Sequence, residues 1–576
     1  MIFLFLNLPD YKATQYGNLA ITVSSFGVLG TNFASGIRLP SLEFPINSKT
    51  EHLTIAGIWI GAITSQGDTL VSTSAVDEYA NSSVSGEGFE FRKLDSVKIR
   101  SLILTSPYYD PNAKADEEIT AKFDDYSNVV NHSPLGVEVH LRAFLYTYEY
   151  IEDVVFLEYK IINKSAGDLR KMYLGIYSEL VTGNRTFWGS DFARTPFFQH
   201  KRLFYNDSLK LVYERNSGYD TIAKKISAGF QILGIIKDDK KIYPESLNVS
   251  FIWKPWNPNQ VYPDKNKYLD ISKDTIFPNV DDNYLLNNPY PDPTSIISIG
   301  PIDYLESNDT IVFYVAVVGG MDEEDIKKNA RWAKIAFERD FLLPAPPPSP
   351  RLIAITDDRK VSLYWDNSPE SYIDPFSNEM DFEGYRVLRG KSKLFDSTWL
   401  ILAQYDKINN IGYDAGLPKI TNNCPSTLSP PCYYYEDLGV KNGYLYYYSI
   451  ISFDKGYPQQ GIPILYSSYR QNLIEVIPGS KPSTSLPLRV YPNPFKFSSK
   501  FNGVYISNLP KRGKIYIYNL AGDLVFSDEF YNEIRGEYFW NLKNKSGFQV
   551  APGVYIVVVE DLESKKIRRT RLGIVR

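Results

Sequence analysis

The chain has 576 residues and a formal net charge of −5, with 62 Lys and Arg against 67 Asp and Glu, 43% hydrophobic and 22% charged residues. At about 150 residues per domain this length accommodates three to five domains, and the balance excludes global disorder, a collagenous fibre and the basic field of a nucleic-acid binder. The unusual entry is aromatic: 44 Tyr, 32 Phe and 8 Trp make 15% of the chain, and rings that pack on pleated surfaces turn the expectation toward β-structure.

The N-terminus, MIFLFLNLPDYKATQ, holds an apolar run from Ile2 to Leu8. It lacks a basic n-region and an A-x-A cleavage site, so residues 1–16 read either as the remnant of a signal peptide or as a first strand. No stretch reaches the roughly 18 apolar residues of a membrane-spanning helix.

Residues 17–341 read as one large β-rich domain. Gly17 to Gly30 alternates and ends on glycine, and His52 to Ala75 predicts a hairpin turning at Gln66-Gly67-Asp68. Leu135 to Tyr150 and Asp153 to Ser165 alternate over many residues, MYLGIYSEL follows a polar turn at Gly167-Asp168, and Thr310 to Gly320 reads as a buried strand. Runs of period two bounded by Gly, Asn, Asp and Ser predict antiparallel strands, and their length predicts a large two-sheet sandwich. A single helix is expected over 322–341: Asp322 caps it, the acidic first turn suits its dipole, and Ile326, Ala330, Ala333 and Phe337 form one apolar stripe for the flank of the sandwich. The five prolines of LPAPPPSP then forbid helix and central strand, so residues 342–350 read as a stiff extended linker and a domain boundary.

Residues 351–479 read as a second β-module, with strands around Asp357-Asp358, at Phe382 to Gly390 and at Asn442 to Gly456, closed by YRQNLIEVIPG. The opening Pro350, Trp365, the run Gly384 to Val387, and Leu438 with Tyr444 make this segment resemble a fibronectin type III domain. The resemblance implies an immunoglobulin-like sandwich in which Tyr444 is the hydrogen-bonded tyrosine of a tyrosine corner. Two insertions depart from the family, Ser368 to Asp381 and Asp396 to Tyr434. The second holds the only two cysteines, Cys424 and Cys432, in a Pro-rich segment without a C-x-x-C motif. A local disulfide is expected in an oxidising compartment, the alternative being two unrelated thiols.

After a linker at 480–488, residues 489–576 form a third module. Asn519 to Asp523 predicts a hairpin turn between alternating strands, and Ala551-Pro552-Gly553 a turn before an apolar strand. Tyr491-Pro492-Asn493-Pro494-Phe495, Ile517 to Gly522, Trp540, Gly547 and Gly553-Val554-Tyr555 occur in that order. On these residues the module resembles the C-terminal immunoglobulin-like sorting domain of type IX secretion substrates, and the related domain of flagellar hook-capping proteins. Asn541 departs from the hook-capping relatives, which often carry Asp after the Trp. The resemblance implies an address: the domain is recognised at the outer membrane and its passenger is released or attached to the surface. Lys565, Lys566, Arg568, Arg569 and Arg571 resemble the basic end of such signals, and also suit a solvated edge strand whose charges block edge-to-edge pairing. An address of this kind requires prior entry to the periplasm, which favours the signal-remnant reading of residues 1–16.

Catalytic motifs are missing from the sequence. The four histidines, His52, His132, His140 and His200, lack zinc-ligand spacing, and no G-x-S-x-G, G-x-x-x-x-G-K or G-x-G-x-x-G is present. Loop oxygens at Asp110, Asn112, Asp116 and Glu117, at Asp281-Asp282, and at Asp374, Glu379 and Asp381 could hold calcium, with solvated acidic turns as the ordinary reading. Trp253, Trp256 and Tyr262 are candidates for carbohydrate stacking, against the ordinary reading that strand aromatics fill a sandwich core. The expected fold is therefore mainly β and multidomain: a large N-terminal antiparallel sandwich with one flanking helix, then two immunoglobulin-like sandwiches. The expected function is that of a non-enzymatic secreted or cell-surface protein, reached through the periplasm, with no cofactor and no nucleic-acid partner. Its partner is the outer-membrane secretion machinery, with a glycan or surface protein as a further one. The alternative is a secreted hydrolase or glycan-binding protein with its site in 17–341.

Overall fold

The computed structural model describes residues 10–33, 37–76, 89–103, 105–129, 132–185, 201–215, 225–255, 262–288, 292–456, 458, 463–498, 501–533 and 535–576. The apolar run Ile2 to Leu8, Trp256 and His200 lie outside them. The chain is mainly β, as the sequence predicts, and divides into two compact units: Met1–Pro346 with Ile373–Glu379 and Leu465–Gln471, and Pro347–Tyr372 with Met380–Ile464 and Asn472–Arg576. Two short segments from within 351–479 thus belong to the first unit.

Among the described residues the first unit is a sandwich of a nine-stranded and a ten-stranded sheet. In one, Thr50–Ile63, Leu169–Asn184 and Pro293–Leu305 run side by side; in the other, Ser227–Lys237, Thr310–Gly320, Val154–Asn163 and Val137–Leu145 do. All these pairings are antiparallel. Alternation is the cause: in Val137–Leu145 every second residue from Val137 to Leu141 is buried while Glu138, His140 and Arg142 are only partly so. Ile58, Ile176 and Ile297 of one sheet and Val139, Leu157 and Val315 of the other share one core. The hairpin expected at Gln66-Gly67-Asp68 joins Thr50–Ile63 to Thr69–Thr73.

The expected flanking helix spans Glu323–Glu338. Asp322 Oδ1 accepts from the Glu324 and Asp325 amides at 3.0 Å each, and Ile326, Ala330, Ala333 and Phe337 are fully buried. Gly320 permits its close approach, since a Cβ there would lie 2.3 Å from the Ile326 nitrogen. The helix ends three residues before Phe341, because the chain turns through positive φ at Asp340 and Phe341 and drops the Phe341 ring onto Phe144 and Phe156, each at 5.0 Å. It is not the only helix: Asp264–Ile271 and Asp282–Asn287 are also α-helical. The Pro-rich stretch is extended, and the boundary between units falls inside it. It is not a free spacer, however. Leu343 and Ala345 are buried, Tyr150 donates to Pro344 O at 2.7 Å, and the Ala345 amide donates to Asp374 at 3.1 Å.

The second unit holds two immunoglobulin-like sandwiches. In the middle module, Leu352–Asp357, Lys360–Trp365, Cys432–Asp437 and Ile420–Thr421 form one sheet, and Leu400–Asp406, Phe382–Gly390, Tyr446–Asp454 and Ile474–Val476 the other. This is the two-sheet order of immunoglobulin-like domains. Within the stretch read as an insertion from Asp396 to Tyr434, Leu400–Asp406, Ile420–Thr421 and the start of Cys432–Asp437 therefore belong to the sandwich. Trp365 is fully buried among Tyr385 and Tyr433. The tyrosine corner falls elsewhere than expected: Leu438 and Tyr444 are 69% and 45% exposed, whereas Tyr446 is buried and its hydroxyl accepts the Lys441 amide at 3.1 Å.

Among its described residues the last module packs a three-stranded sheet (Arg489–Tyr491, Val504–Ser507, Glu537–Trp540) against a five-stranded one. The larger sheet runs Phe495–Lys496, Ile567–Val575, Gly553–Asp561, Arg512–Asn519, Leu524–Tyr531. Trp540, Ile515, Val557 and Leu572 lie in a core of its own.

Candidate functional site

Of the residues that carry the sorting resemblance, Asn493, Phe495 and Gly553–Tyr555 adjoin the closing strand, Ile567–Val575, whereas Ile517–Asn519 pair with Gly553–Asp561 and Leu524–Tyr531, and Trp540 lies in the smaller sheet. Pro492 and Pro494 have no amide hydrogen and cannot extend a ladder. The intervening Asn493 extends it with its side chain: Nδ2 donates to Arg571 O at 2.8 Å, and the Gly573 amide donates to Oδ1 at 2.9 Å. Phe495 is buried and pairs in parallel with Ile574. Tyr491 donates to Glu537 Oε1 at 2.5 Å, and its ring stacks on Tyr505 at 5.6 Å. Burial, and then the Glu537 carboxylate, hold the Tyr491 hydroxyl well above the usual phenol range, and burial pushes Glu537 up as well.

Tyr555 donates to Ala551 O at 2.7 Å, closing the turn before its own strand. Gly522, at φ +92°, makes the turn between Arg512–Asn519 and Leu524–Tyr531. Gly553 pairs with Ile574, and a Cβ added there would meet only the Tyr555 ring, at 4.0 Å. Lys565 and Lys566 lie in the exposed turn ahead of the closing strand, not in it. Arg568 is committed to structure, donating to Leu486 O at 2.6 Å and Ser483 O at 2.8 Å of the preceding linker. Arg569 and Arg571 face solvent. Such an arrangement fastens a strand and presents cations beside it.

Tyr491 and Asn493 also form one wall of a cleft of about 460 Å³ between the middle and last modules. Arg359, Lys441, Arg489 and Tyr444 line the remainder. Sequence reading missed this site because its walls come from two modules; the cationic and aromatic loop Lys441 to Tyr444 was the available signal.

The other candidates resolve into structural roles. Cys424 and Cys432 form a disulfide, with Cα atoms 6.0 Å apart. Among the described residues no group of three or more His, Cys, Asp or Glu is placed to hold a metal. Asp110 accepts from the Asn112 amide, Asp116 from Thr147, and Glu117 from the Gln15 and Tyr16 amides. Asp281 caps the helix at 282–287 through the Tyr284 amide, so Asp281-Asp282 is a helix start instead of a calcium loop. Asp374 binds the Ala345, Phe376 and Ser377 amides, the Asp374 amide donates to Glu379 O, and Asp381 is buried. His52 is buried between Phe44 O and Thr182, and burial drops its ring to about 4. His132 contacts Asp125 O at 2.6 Å, and His140 contacts Glu138 at 2.6 Å. Trp253 and Tyr262 are 8% and 9% exposed. The Trp253 indole donates to Pro278 O at 2.9 Å and Tyr262 packs on Trp59, so both are core residues and not a stacking platform.

The sequence also gave no sign of a buried charged cluster in the first unit. Lys201, 1% exposed, lies 2.8 Å from Asp292 and 3.5 Å from Glu179. Burial pushes Glu179 up to about 7 and Glu214 well above the carboxylate range, with the Lys201 charge opposing both. The members come from four separate segments, which no local pattern links. Their mutual compensation accounts for a lysine held in the interior.

No helix among the described residues is long and apolar enough to cross a membrane. No protein-family model and no curated protein matches the chain. Solved structures with some likeness include a polysaccharide lyase, at 8% identity over 82% of this chain and 46% of that one, TM-score 0.21. PorZ of Porphyromonas gingivalis, described as an essential bacterial surface component of the type IX secretion system, is similar at 11% identity over 98% of this chain and 75% of that one, TM-score 0.15. Dimeric latent PorU from the same organism is similar at 11% identity over 61% of this chain and 31% of its own, TM-score 0.12. The chain thus spans about half the length of the lyase, and likeness at these scores establishes neither its fold nor its activity.

Proposed function

We propose that this is a non-enzymatic secreted or cell-surface protein, exported by type IX secretion through residues 489–576, with the first unit serving binding or surface structure. The observation that carries the reading is the position of Asn493 and Phe495 of the motif set against the closing strand, with Gly553–Tyr555 paired to its other side. Asn493 extends the edge of Ile567–Val575 with side-chain hydrogen bonds, Phe495 pairs with Ile574, and Arg569 and Arg571 stay exposed on the strand so fastened. A separate core makes the module a compact passenger-independent element, and exposed cations on a fastened strand form a surface that a receptor can read by charge. On this reading the outer-membrane secretion machinery is the partner of the C-terminal module, the middle module is a fibronectin-like spacer, and the disulfide Cys424–Cys432 suits the oxidising route through the periplasm. The test is removal of about the last 20 residues from the full chain in a host with type IX secretion. Retention in the periplasm is expected; undiminished export would overturn the reading.

A further inference from the structure

The cleft beside Tyr491 has a chemistry that export does not require. Three cations line it, Arg359, Lys441 and Arg489, against the single carboxylate of Asp358. That carboxylate is already engaged: it accepts from Asn442 Nδ2 at 2.8 Å and lies 3.4 Å from the Arg489 guanidinium and 3.9 Å from that of Arg359. Both ion-pair distances exceed those of charge-assisted hydrogen bonds, about 2.7–2.9 Å, so neither guanidinium is saturated. The Lys441 ammonium has no hydrogen-bond or ion-pair partner among the described residues, although its own backbone amide is fixed by Tyr446. Among the lining residues cations therefore outnumber carboxylates three to one, on groups whose backbones are held.

Beside the cations stands an exposed ring. Tyr444 is 45% exposed and is propped edge-to-face by Phe501 at 5.0 Å. Gly443, at φ +77°, brings the loop against the motif tyrosine, for a Cβ there would lie 2.4 Å from the Tyr491 ring. An exposed flat ring lining a cationic pocket suits a ligand with one apolar face and an acidic substituent. The volume, about 460 Å³, falls within the roughly 300–1,000 Å³ of small-ligand sites, which fits a short saccharide better than a polypeptide laid across the surface.

We infer that this cleft binds an acidic saccharide, one pyranose face stacking on Tyr444 and the sugar carboxylate held by Lys441 and the two arginines. The inference does not rest on the export reading. Its test is calorimetric titration of the full-length protein with a short oligogalacturonate at low salt. The methyl-esterified oligomer and a glutamate-rich peptide serve as comparisons, and thermal unfolding checks each variant. Saturable binding is expected, weakened about fivefold or more by esterification, by Lys441→Gln and by Tyr444→Ala, with unchanged unfolding because both side chains are exposed. No binding of the oligogalacturonate would overturn the inference, as would binding that neither variant alters. Equal binding of the peptide with no effect of Tyr444→Ala would replace the saccharide with an acidic peptide held by charge alone.

Discussion

Replacing Asn493 with alanine tests whether the Pro-Asn-Pro segment fastens the closing strand or is itself read by a partner. The substitution removes two hydrogen bonds, from Nδ2 to Arg571 O and from the Gly573 amide to Oδ1, at 2.8 and 2.9 Å. A typical intramolecular hydrogen bond contributes about 0.5–1.5 kcal/mol net. Asn493 is exposed, so water can take up the freed groups. The expected cost is therefore about 1–2 kcal/mol, the lower part of the summed range. Asn493→Asp keeps the acceptor for Gly573 and loses the donor to Arg571, so about half that loss is expected. Native-state hydrogen exchange on the full chain reads the effect directly. Amides of 571–575 in Asn493→Ala should exchange roughly tenfold faster, since about 1.4 kcal/mol is a factor of ten, while the Gly553–Asp561 strand changes less. Export should fall only as far as stability falls. Unchanged exchange together with lost export would refute the fastening argument and make Asn493 a contact residue of the receptor.

Trp365→Ala should cost the middle module about 3–5 kcal/mol, because it empties a fully buried aromatic site. Trp365→Phe should cost much less, since the indole nitrogen is buried without a partner; equal losses in urea unfolding would contradict this. Reducing Cys424–Cys432 should cost about 2–3 kcal/mol in the same module, the chain entropy of so short a loop, and intact mass before and after alkylation reports the pairing. Glu51, Glu117, Asp153 and Glu179 of the first unit are pushed up to about 7 by burial. Their folded values lie above the unfolded ones, so the stability they confer is complete below their unfolded values and is lost as pH rises toward about 7. His52, lowered to about 4 by burial, opposes this only below its unfolded value of about 6.5. The first unit should therefore melt about 3 °C or more lower at about pH 8 than at about pH 5.5, and a rise in melting temperature would contradict the assignment.

Local periodicity carried most of what was legible. The alternation of Leu135 to Tyr150 and of Asp153 to Ser165, and the Asp322 cap with its apolar stripe, report which face of each element is buried, and these elements form, with the first strand stopping at Leu145 and the helix at Glu338. Sheet membership is not a local property. Val154–Asn163 and Leu169–Asn184 are joined by a short turn yet lie in different sheets, and nothing in either strand's pattern distinguishes a hairpin from a crossing. The tyrosine corner shows the same limit on a smaller scale. Tyr444, Tyr446 and Tyr448 share one parity, and only the tertiary register places Tyr446 against the Lys441 amide. Asp281-Asp282 looked like a loop because a six-residue helix has too few turns to show an apolar stripe. In the C-terminal module the motif residues were legible as a set, but the task of Asn493 was not, since its partners are 78 and 80 residues away. The cleft and the Lys201 cluster are assembled from distant segments, and only the loop Lys441 to Tyr444 marks the cleft in the sequence order.

The most direct test of the central claim is a reporter joined to residues 480–576 behind a cleavable signal peptide, expressed in a host with type IX secretion. The module has its own core and should act as an address for an unrelated passenger. The account predicts that the reporter reaches the cell surface or the medium, and that removal of Ile567–Val575 returns it to the periplasm. A fusion that stays periplasmic, while an established substrate of the same host is exported, would contradict the account and leave the module a purely structural immunoglobulin-like domain.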